Sequence, residues 1–239
     1  MPPKTYRKVR SCAACGRKGS GRFCELAEER KSLFRSPRTI VRYAPGQAIF
    51  QQGQPPFAIY CLVSGAAKVY KSAEGGRRVL IRVLGPGEML GYRAVLADEP
   101  YAATAEAIKP TTACVITREN LFELLRCSPD LGRRLLAKVA RELRISEEQL
   151  LTFATDPARR RLARLLLLLL KSADVPLRTG SLVPRDYLRT EMAQMIGTAP
   201  ETLSRALRLL ARQGILRVTR AEIRVADPGR LKAAAGPAL

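Results

Sequence analysis

Two constellations in this 239-residue chain carry residue types suited to specific chemistry. Cys12-Ala13-Ala14-Cys15 and Cys24 put three thiols near the start, and Cys61, Cys114 and Cys127 follow far along the chain. Thiolates ligate soft metals, and a Cys-x-x-Cys pair also supports dithiol chemistry. The second constellation, Glu201-Thr202-Leu203-Ser204-Arg205, gathers an acid, two hydroxyls and a guanidinium directly after Pro200. Arg donates two parallel hydrogen bonds to guanine O6 and N7, and Glu accepts one from cytosine N4. The chain has no histidine. That removes Ser-His-Asp and Cys-His catalysis, His-ligated haem and His-containing zinc sites, and no catalytic residue is assigned.

Arg205 stands in a strongly basic context. Lys and Arg number 42 against 21 Asp and Glu, a net charge of +21. Such a field attracts polyanions, nucleic acid first and anionic membranes second. The membrane reading has no further support. The longest apolar run, Leu165 to Leu170, is flanked by Arg164 and Lys171 and falls far short of the roughly 20 residues of a span. Met1-Pro2-Pro3-Lys4 has no apolar stretch behind it, so no signal peptide is expected and the cytoplasm is the expected location. In that reducing compartment the cysteines are ligands, redox groups or core residues rather than structural disulfides. Cys61, in an apolar run, and Cys127, just before Ser128-Pro129, are expected to be packing residues.

The elements that must position these groups follow from the text of the chain. Residues 1–26 form a basic arm that contains Cys12, Cys15 and Cys24. From 27 to 127, short apolar runs alternate with Gly and Pro turns: Ile40–Tyr43, Ala48–Phe50, Ala58–Val63, Ala67–Tyr70, Val79–Leu84, Ala102–Ile108 and Ala113–Ile116. Many short strands of this kind predict a small antiparallel barrel or roll. Residues 128–155 predict one long helix. Its stripe Leu136, Val139, Leu143, Ser146, Leu150 and Phe153 alternates steps of three and four, the heptad spacing of a dimer seam. Asp156-Pro157 is expected to cap and open the next helix, which begins a domain over 156–239. The remainder reads helix, turn, helix, then strands Leu216–Val218 and Glu222–Val225, a winged helix-turn-helix in outline.

Within that domain Ala193 lets a second helix approach closely, and Gly197 supplies the positive φ of a tight helix–helix turn. Met192, Ile196, Leu203, Leu207 and Leu210 can face inward. That leaves Glu201, Thr202, Ser204, Arg205 and Arg208 outward, at the end that enters the major groove in helix-turn-helix proteins. Arg185, Arg189, Arg212 and Arg217 are placed to hold phosphates.

Three stretches resemble the Crp–Fnr superfamily of bacterial transcription regulators, and the similarity spans roughly residues 24–232. Tyr43-Ala44-Pro45-Gly46-Gln47-Ala48-Ile49-Phe50 with Gly53 is similar to the family's first β-roll hairpin, and Tyr60-Cys61-Leu62-Val63-Ser64-Gly65 to its next strand and turn. Pro200-Glu201-Thr202-Leu203-Ser204-Arg205 resembles its recognition helix. The resemblance implies an α+β fold. An N-terminal antiparallel β-roll (a cyclic-nucleotide-binding-like jelly roll) is followed by a long dimerisation helix and a C-terminal winged helix-turn-helix. It also implies a homodimer on double-stranded DNA with a two-fold symmetric operator, and RNA polymerase as a partner. The Glu-x-x-Ser-Arg pattern resembles readers of TTGAT-type half-sites.

The resemblance also bears on the signal. Cyclic-nucleotide binders of the family share a Gly-Glu, matched by Gly87-Glu88, and an Arg-Ser pair that holds the cyclic phosphate. Tyr101-Ala102 occupies that second position here. A phosphate buried without a charged partner is costly, which disfavours a cyclic nucleotide. Haem is disfavoured by the missing histidine. The Fnr branch ligates a [4Fe–4S] cluster with three N-terminal cysteines and one from the β-roll. By that resemblance the ligands are Cys12, Cys15, Cys24 and Cys114, and oxygen or redox state is the signal. Eight residues, Gly16 to Phe23, separate Cys15 from Cys24, a longer spacer than that branch's, with three glycines that let it loop out. A zinc site of four thiolates on the same residues, a Cys12–Cys15 dithiol switch, a small-molecule effector in the β-roll and no cofactor at all remain open alternatives.

Overall fold

The computed structural model describes residues 5–9, 38–72, 78–173, 175–184 and 187–236. Cys12, Cys15, Cys24 and Arg185 lie outside the described residues. The chain divides into two compact units, Met1–Val139 and Ala140–Leu239.

Among its described residues the first unit has nine short strands. They are β1 (Thr5–Val9), β2 (Arg38–Tyr43), β3 (Ala48–Phe50), β4 (Ala58–Ser64), β5 (Ala67–Ser72), β6 (Arg78–Leu84), β7 (Met89–Leu90), β8 (Thr104–Ala107) and β9 (Thr111–Thr117). They form two antiparallel sheets, ordered β1-β2-β9-β4-β7 and β3-β8-β5-β6. Alternation dictates the layers. In β9, Thr111, Ala113, Cys114 and Ile116 are buried while the intervening residues are half-covered, the mark of a strand enclosed on both faces.

One face contributes Tyr43, Phe50, Tyr60, Leu62, Val69 and Ala113 to a core between the sheets. The other face, with Ile59, Cys61, Cys114 and Ile116, is covered by α1 (Tyr92–Ala97), α2 (Arg118–Cys127) and the first turns of α3 (Pro129–Thr155). Gly65 must be glycine. Its φ is +88°, and a Cβ there would stand 2.6 Å from the Pro110 carbonyl.

The second unit holds the rest of α3, then α4 (Ala158–Ser172), α5 (Arg189–Met195), α6 (Pro200–Arg212), the hairpin β10 (Leu216–Val218) and β11 (Ile223–Val225), and α7 (Pro228–Ala235). The Leu-rich face of α4 (Leu162, Leu166, Leu169 and Leu170) supplies the centre of its core. The expected Asp156 cap is not observed. The N-cap of α4 is Pro157, in extended conformation. The Asp156 carboxylate instead accepts from Arg160 at 2.9 Å and Arg164 at 2.6 Å, because two guanidiniums on the following turns outcompete the helix amides for it. Among the described residues no helix is long and apolar enough to cross a membrane.

Candidate functional site

The basic face of the second unit is organised by α5, the turn after it, and α6. Ala193 is fully buried, and Thr198 donates its amide to the Ala193 carbonyl at 2.9 Å, which closes the turn. Gly197 has φ +60°, and a Cβ on it would meet the Phe153 ring at 3.2 Å. Pro200 starts α6 with no amide to satisfy. Leu203, Ala206, Leu207 and Leu210 are buried, a 3.6-residue stripe that turns the opposite side of α6 outward.

On that outward side Glu201, Ser204, Arg205, Arg208 and Arg212 are exposed, and Thr202 is half-covered. Their polar groups are held by short local bonds. The Arg205 guanidinium donates to Thr202 Oγ1 at 3.0 Å, Ser204 Oγ donates to the Pro200 carbonyl at 2.9 Å, and Arg208 Nε donates to the Ser204 carbonyl at 3.4 Å.

Arg189 differs from its neighbours. It is half-buried, and burial lowers its pKa from the ordinary guanidinium value. One Nη donates to the Thr219 carbonyl in the β10–β11 turn at 3.3 Å. The other, Nη1, is buried with no hydrogen-bond partner among the described residues. In the wing, the Thr219 hydroxyl accepts from the Ala221 and Glu222 amides and leaves Arg220 exposed at the tip. Sequence reasoning passed over Arg220, although its place between Thr219 and Ala221 in a two-strand turn was the available signal. Arg217 is exposed on β10, whereas Arg224 is committed to Glu222 at 2.8 and 3.0 Å.

The cysteines sort by element. Cys114 is central in β9 and buried, with Cys61 opposite it on β4. Cys127, expected in packing, is exposed instead: it is the last residue of α2, past the stretch whose Leu121 and Leu124 face the core. Among the described residues no group of three or more His, Cys, Asp or Glu could hold a metal ion.

The backbone nevertheless ties the cysteine-bearing arm to Cys114. β1 pairs with β2 and β2 with β9, so that Arg7, Ile40 and Cys114 share one row. β1 ends at Val9, three residues before Cys12, so the arm leaves the sheet two strand spacings of about 5 Å each from β9. Ile40, between them on the Cys114 row, is half-buried against the same cluster. Of the four expected ligands, Cys114 alone lies among the described residues.

The α3 residues expected to form a seam are not alike. Leu136, Leu143 and Leu150 are 71%, 60% and 68% exposed, and Ser146 is exposed with them. Val139 packs, half-buried, against the core beneath Cys114. Phe153 lies against Gly197, and the Arg161 guanidinium stands 5.5 Å from its ring centroid.

Comparison with known proteins agrees with this architecture. Residues 40–127 match the family described as "Cyclic nucleotide-binding domain", and residues 160–234 match "Crp-like helix-turn-helix domain". The Cyclic AMP receptor protein of Thermus thermophilus is 32% identical over 90% of this chain and 96% of that protein. The chain belongs to the Crp–Fnr superfamily. It is thus a Crp-like DNA-binding transcription regulator. Transcriptional activator protein FnrA of Stutzerimonas stutzeri is 28% identical over 81% of this chain and 79% of its own length. The structure of FixK2 from Bradyrhizobium japonicum superposes with a TM-score of 0.69 at 28% identity, covering 84% of this chain and 99% of that one.

Glu88 and Tyr101, the two positions that the sequence resemblance compares with cyclic-nucleotide binders, both have partners within the β-roll. Glu88 turns onto its own loop and accepts from the Gly85 amide at 2.6 Å. Tyr101 is buried. Its ring stacks on Phe50 at 4.2 Å, and its hydroxyl donates to the Ala58 carbonyl at 2.6 Å and accepts from the Ala58 amide at 3.0 Å.

Proposed function

We propose that this regulator binds, as a homodimer, a two-fold symmetric operator of TTGAT-like half-sites, under the control of an oxygen- or redox-sensitive [4Fe–4S] cluster held by Cys12, Cys15, Cys24 and Cys114. The observation that carries the cluster reading is the β1–β2–β9 pairing, which ties the arm to the strand of Cys114. A cyclic-nucleotide effector is opposed by Tyr101, which by the resemblance stands where the family has its Arg-Ser pair, carries no positive charge and has its ring and hydroxyl engaged by Phe50 and Ala58. The four-part division into an arm (1–26), a sensor (27–127), a dimerisation helix (128–155) and a DNA-binding domain (156–239) belongs to the same reading.

Regulators of this family bind DNA as dimers. Here the exposed Leu136, Leu143, Ser146 and Leu150 would pack against their copies along two α3 helices and set the two α6 helices about 34 Å apart, one DNA turn. Arg205 and Glu201 would exchange local bonds or water for base edges, with Thr202, Ser204 and Arg208 beside them. Arg189, Arg212 and Arg217, with Arg185, would hold phosphates, and the unpartnered Arg189 Nη1 suits such an acceptor. RNA polymerase is the further partner.

When bound, a cluster supplies an oxygen-labile cross-link between the arm and the sheet. The chain's own residues carry its effect onward. β9 runs straight into α2 at Arg118, only Ser128 separates α2 from α3, and Cys114 shares its buried cluster with Leu121, Leu124, Leu131 and Leu135. Whatever holds or releases Cys114 therefore acts on the base of the seam helix. The test is operator affinity without oxygen and after brief exposure to air. The wild type should change affinity on exposure, and Cys114→Ser should give one value under both conditions. A wild-type affinity indifferent to air would overturn cluster control while leaving DNA binding intact.

A further inference from the structure

Cys61 and Cys114 face each other in the middle of the sensor sheet. β4 and β9 are antiparallel, and Cys61 is the register partner of Cys114. Both side chains lie in the same buried cluster, at 5% and 8% exposure, and both carry thiols. Directly opposed residues of an antiparallel pair have Cα atoms about 4.5–5.5 Å apart. A disulfide needs about 4.4–6.8 Å. The Cα separation expected of such a register pair therefore falls within the range a disulfide spans.

We propose that Cys61 and Cys114 are a redox-active cross-strand dithiol, closed to a disulfide by a small hydroperoxide. One sulfur, as its thiolate, attacks a peroxide oxygen; the O–O bond breaks, leaving a sulfenic acid and, after protonation, an alcohol or water. The second thiol sulfur then attacks the sulfenic sulfur, the S–S bond forms as the S–O bond breaks, and its proton leaves with the departing hydroxide as water. The two thiols lose two electrons and the hydroperoxide gains them.

Burial selects the oxidant. The pair shares its buried cluster with Tyr92 from α1 and Leu121 from α2, a cover that suits a small neutral peroxide rather than a bulky disulfide as the oxidant. The register makes the second thiol the nearest trap for the sulfenic acid, ahead of further oxidation. A consequence, which rests on the cluster reading above, is that the closed pair withdraws Cys114 from the ligand set. Peroxide then leaves a regulator that does not reload until a thiol reductant opens it.

The test uses full-length protein with Cys12, Cys15 and Cys24 all changed to Ser, so its outcome does not depend on whether the wild type holds a cluster. The protein is reduced without oxygen, exposed to hydrogen peroxide, alkylated in denaturant and digested for peptide mass spectrometry. The expected product is the Cys61 peptide joined to the Cys114 peptide, two hydrogens lighter than the separate peptides together and parted by dithiothreitol. Adding Cys61→Ala should abolish it and leave Cys114 sulfenylated or alkylated. Both cysteines fully alkylated after peroxide, or Cys114 carried to sulfinic acid while Cys61 takes the alkyl label, would overturn the proposal. Should the triple variant fail to melt cooperatively, iron-free wild type is treated in the same way. There, a Cys61–Cys114 link supports the pair, and Cys114 linked only to an arm cysteine overturns it.

Discussion

Arg205 is exposed, tethered only to Thr202, and carries the donor geometry for guanine. Arg205→Ala should cost about 1–3 kcal/mol in operator binding, read by fluorescence anisotropy on a TTGAT-type palindrome. Arg205→Lys should recover little, since an ammonium cannot reproduce the planar two-point fork. Equal affinity for all three proteins would remove α6 as the reading element. Gly197 makes a second case at this scale. With φ at +60° and the Phe153 ring 3.2 Å from a Cβ, Gly197→Ala should destabilise the DNA-binding unit by roughly 1–3 kcal/mol in a thermal melt. Arg205 and Gly197 were legible because residue type and spacing name their roles. Cys61 was legible only as a packing residue. What gives it a partner is the β4–β9 register, which joins residues 53 positions apart and leaves no mark in local sequence. Arg189 was read as one of several surface cations for the same reason: its bond to Thr219 spans 30 residues.

Elements with a clean period were legible nearly to their ends. The run Ala48–Phe50 is β3, and the long helix begins at Pro129, directly after Ser128. β1 was missed because Thr5-Tyr6-Arg7-Lys8-Val9 alternates weakly and its charges read as a solvated arm, while pairing to β2 supplies what propensity does not. α1, six residues with Gly91 and Asp98 in left-handed conformation at its two ends, is too short to show a period. The α3 seam supports a prediction at this scale. Leu150 is 68% exposed within one chain, so Leu150→Glu should leave its folding within about 0.5 kcal/mol of the wild type. In a dimer the same change buries two like charges face to face, and sedimentation should show monomers at concentrations where the wild type is dimeric. A dimer that survives the change would move the seam off this stripe.

Two properties belong to the molecule as a whole. Its charge of +21 makes operator binding steeply salt-dependent. With about six to ten phosphates neutralised, affinity should fall about 10³–10⁵-fold between roughly 50 and 200 mM salt. The sensor unit also carries an alkaline limit. Burial raises the pKa of Tyr60 and Tyr101 above that of an exposed phenol, so both hold protons that the unfolded chain would release. That contribution is present in full below about pH 10 and is lost as pH rises beyond it. Melting scans should therefore show the sensor transition dropping above that pH, and a midpoint flat through about pH 11 would count against the buried phenols.

The central claim is that the arm and Cys114 together hold an iron–sulfur cluster. Iron and acid-labile sulfide, with a visible spectrum, on protein purified without oxygen test it most directly. The account predicts about four iron and four sulfide per chain, in a brown protein that bleaches in air, and their loss in Cys114→Ser. Colourless, iron-free protein that also resists reconstitution would contradict it.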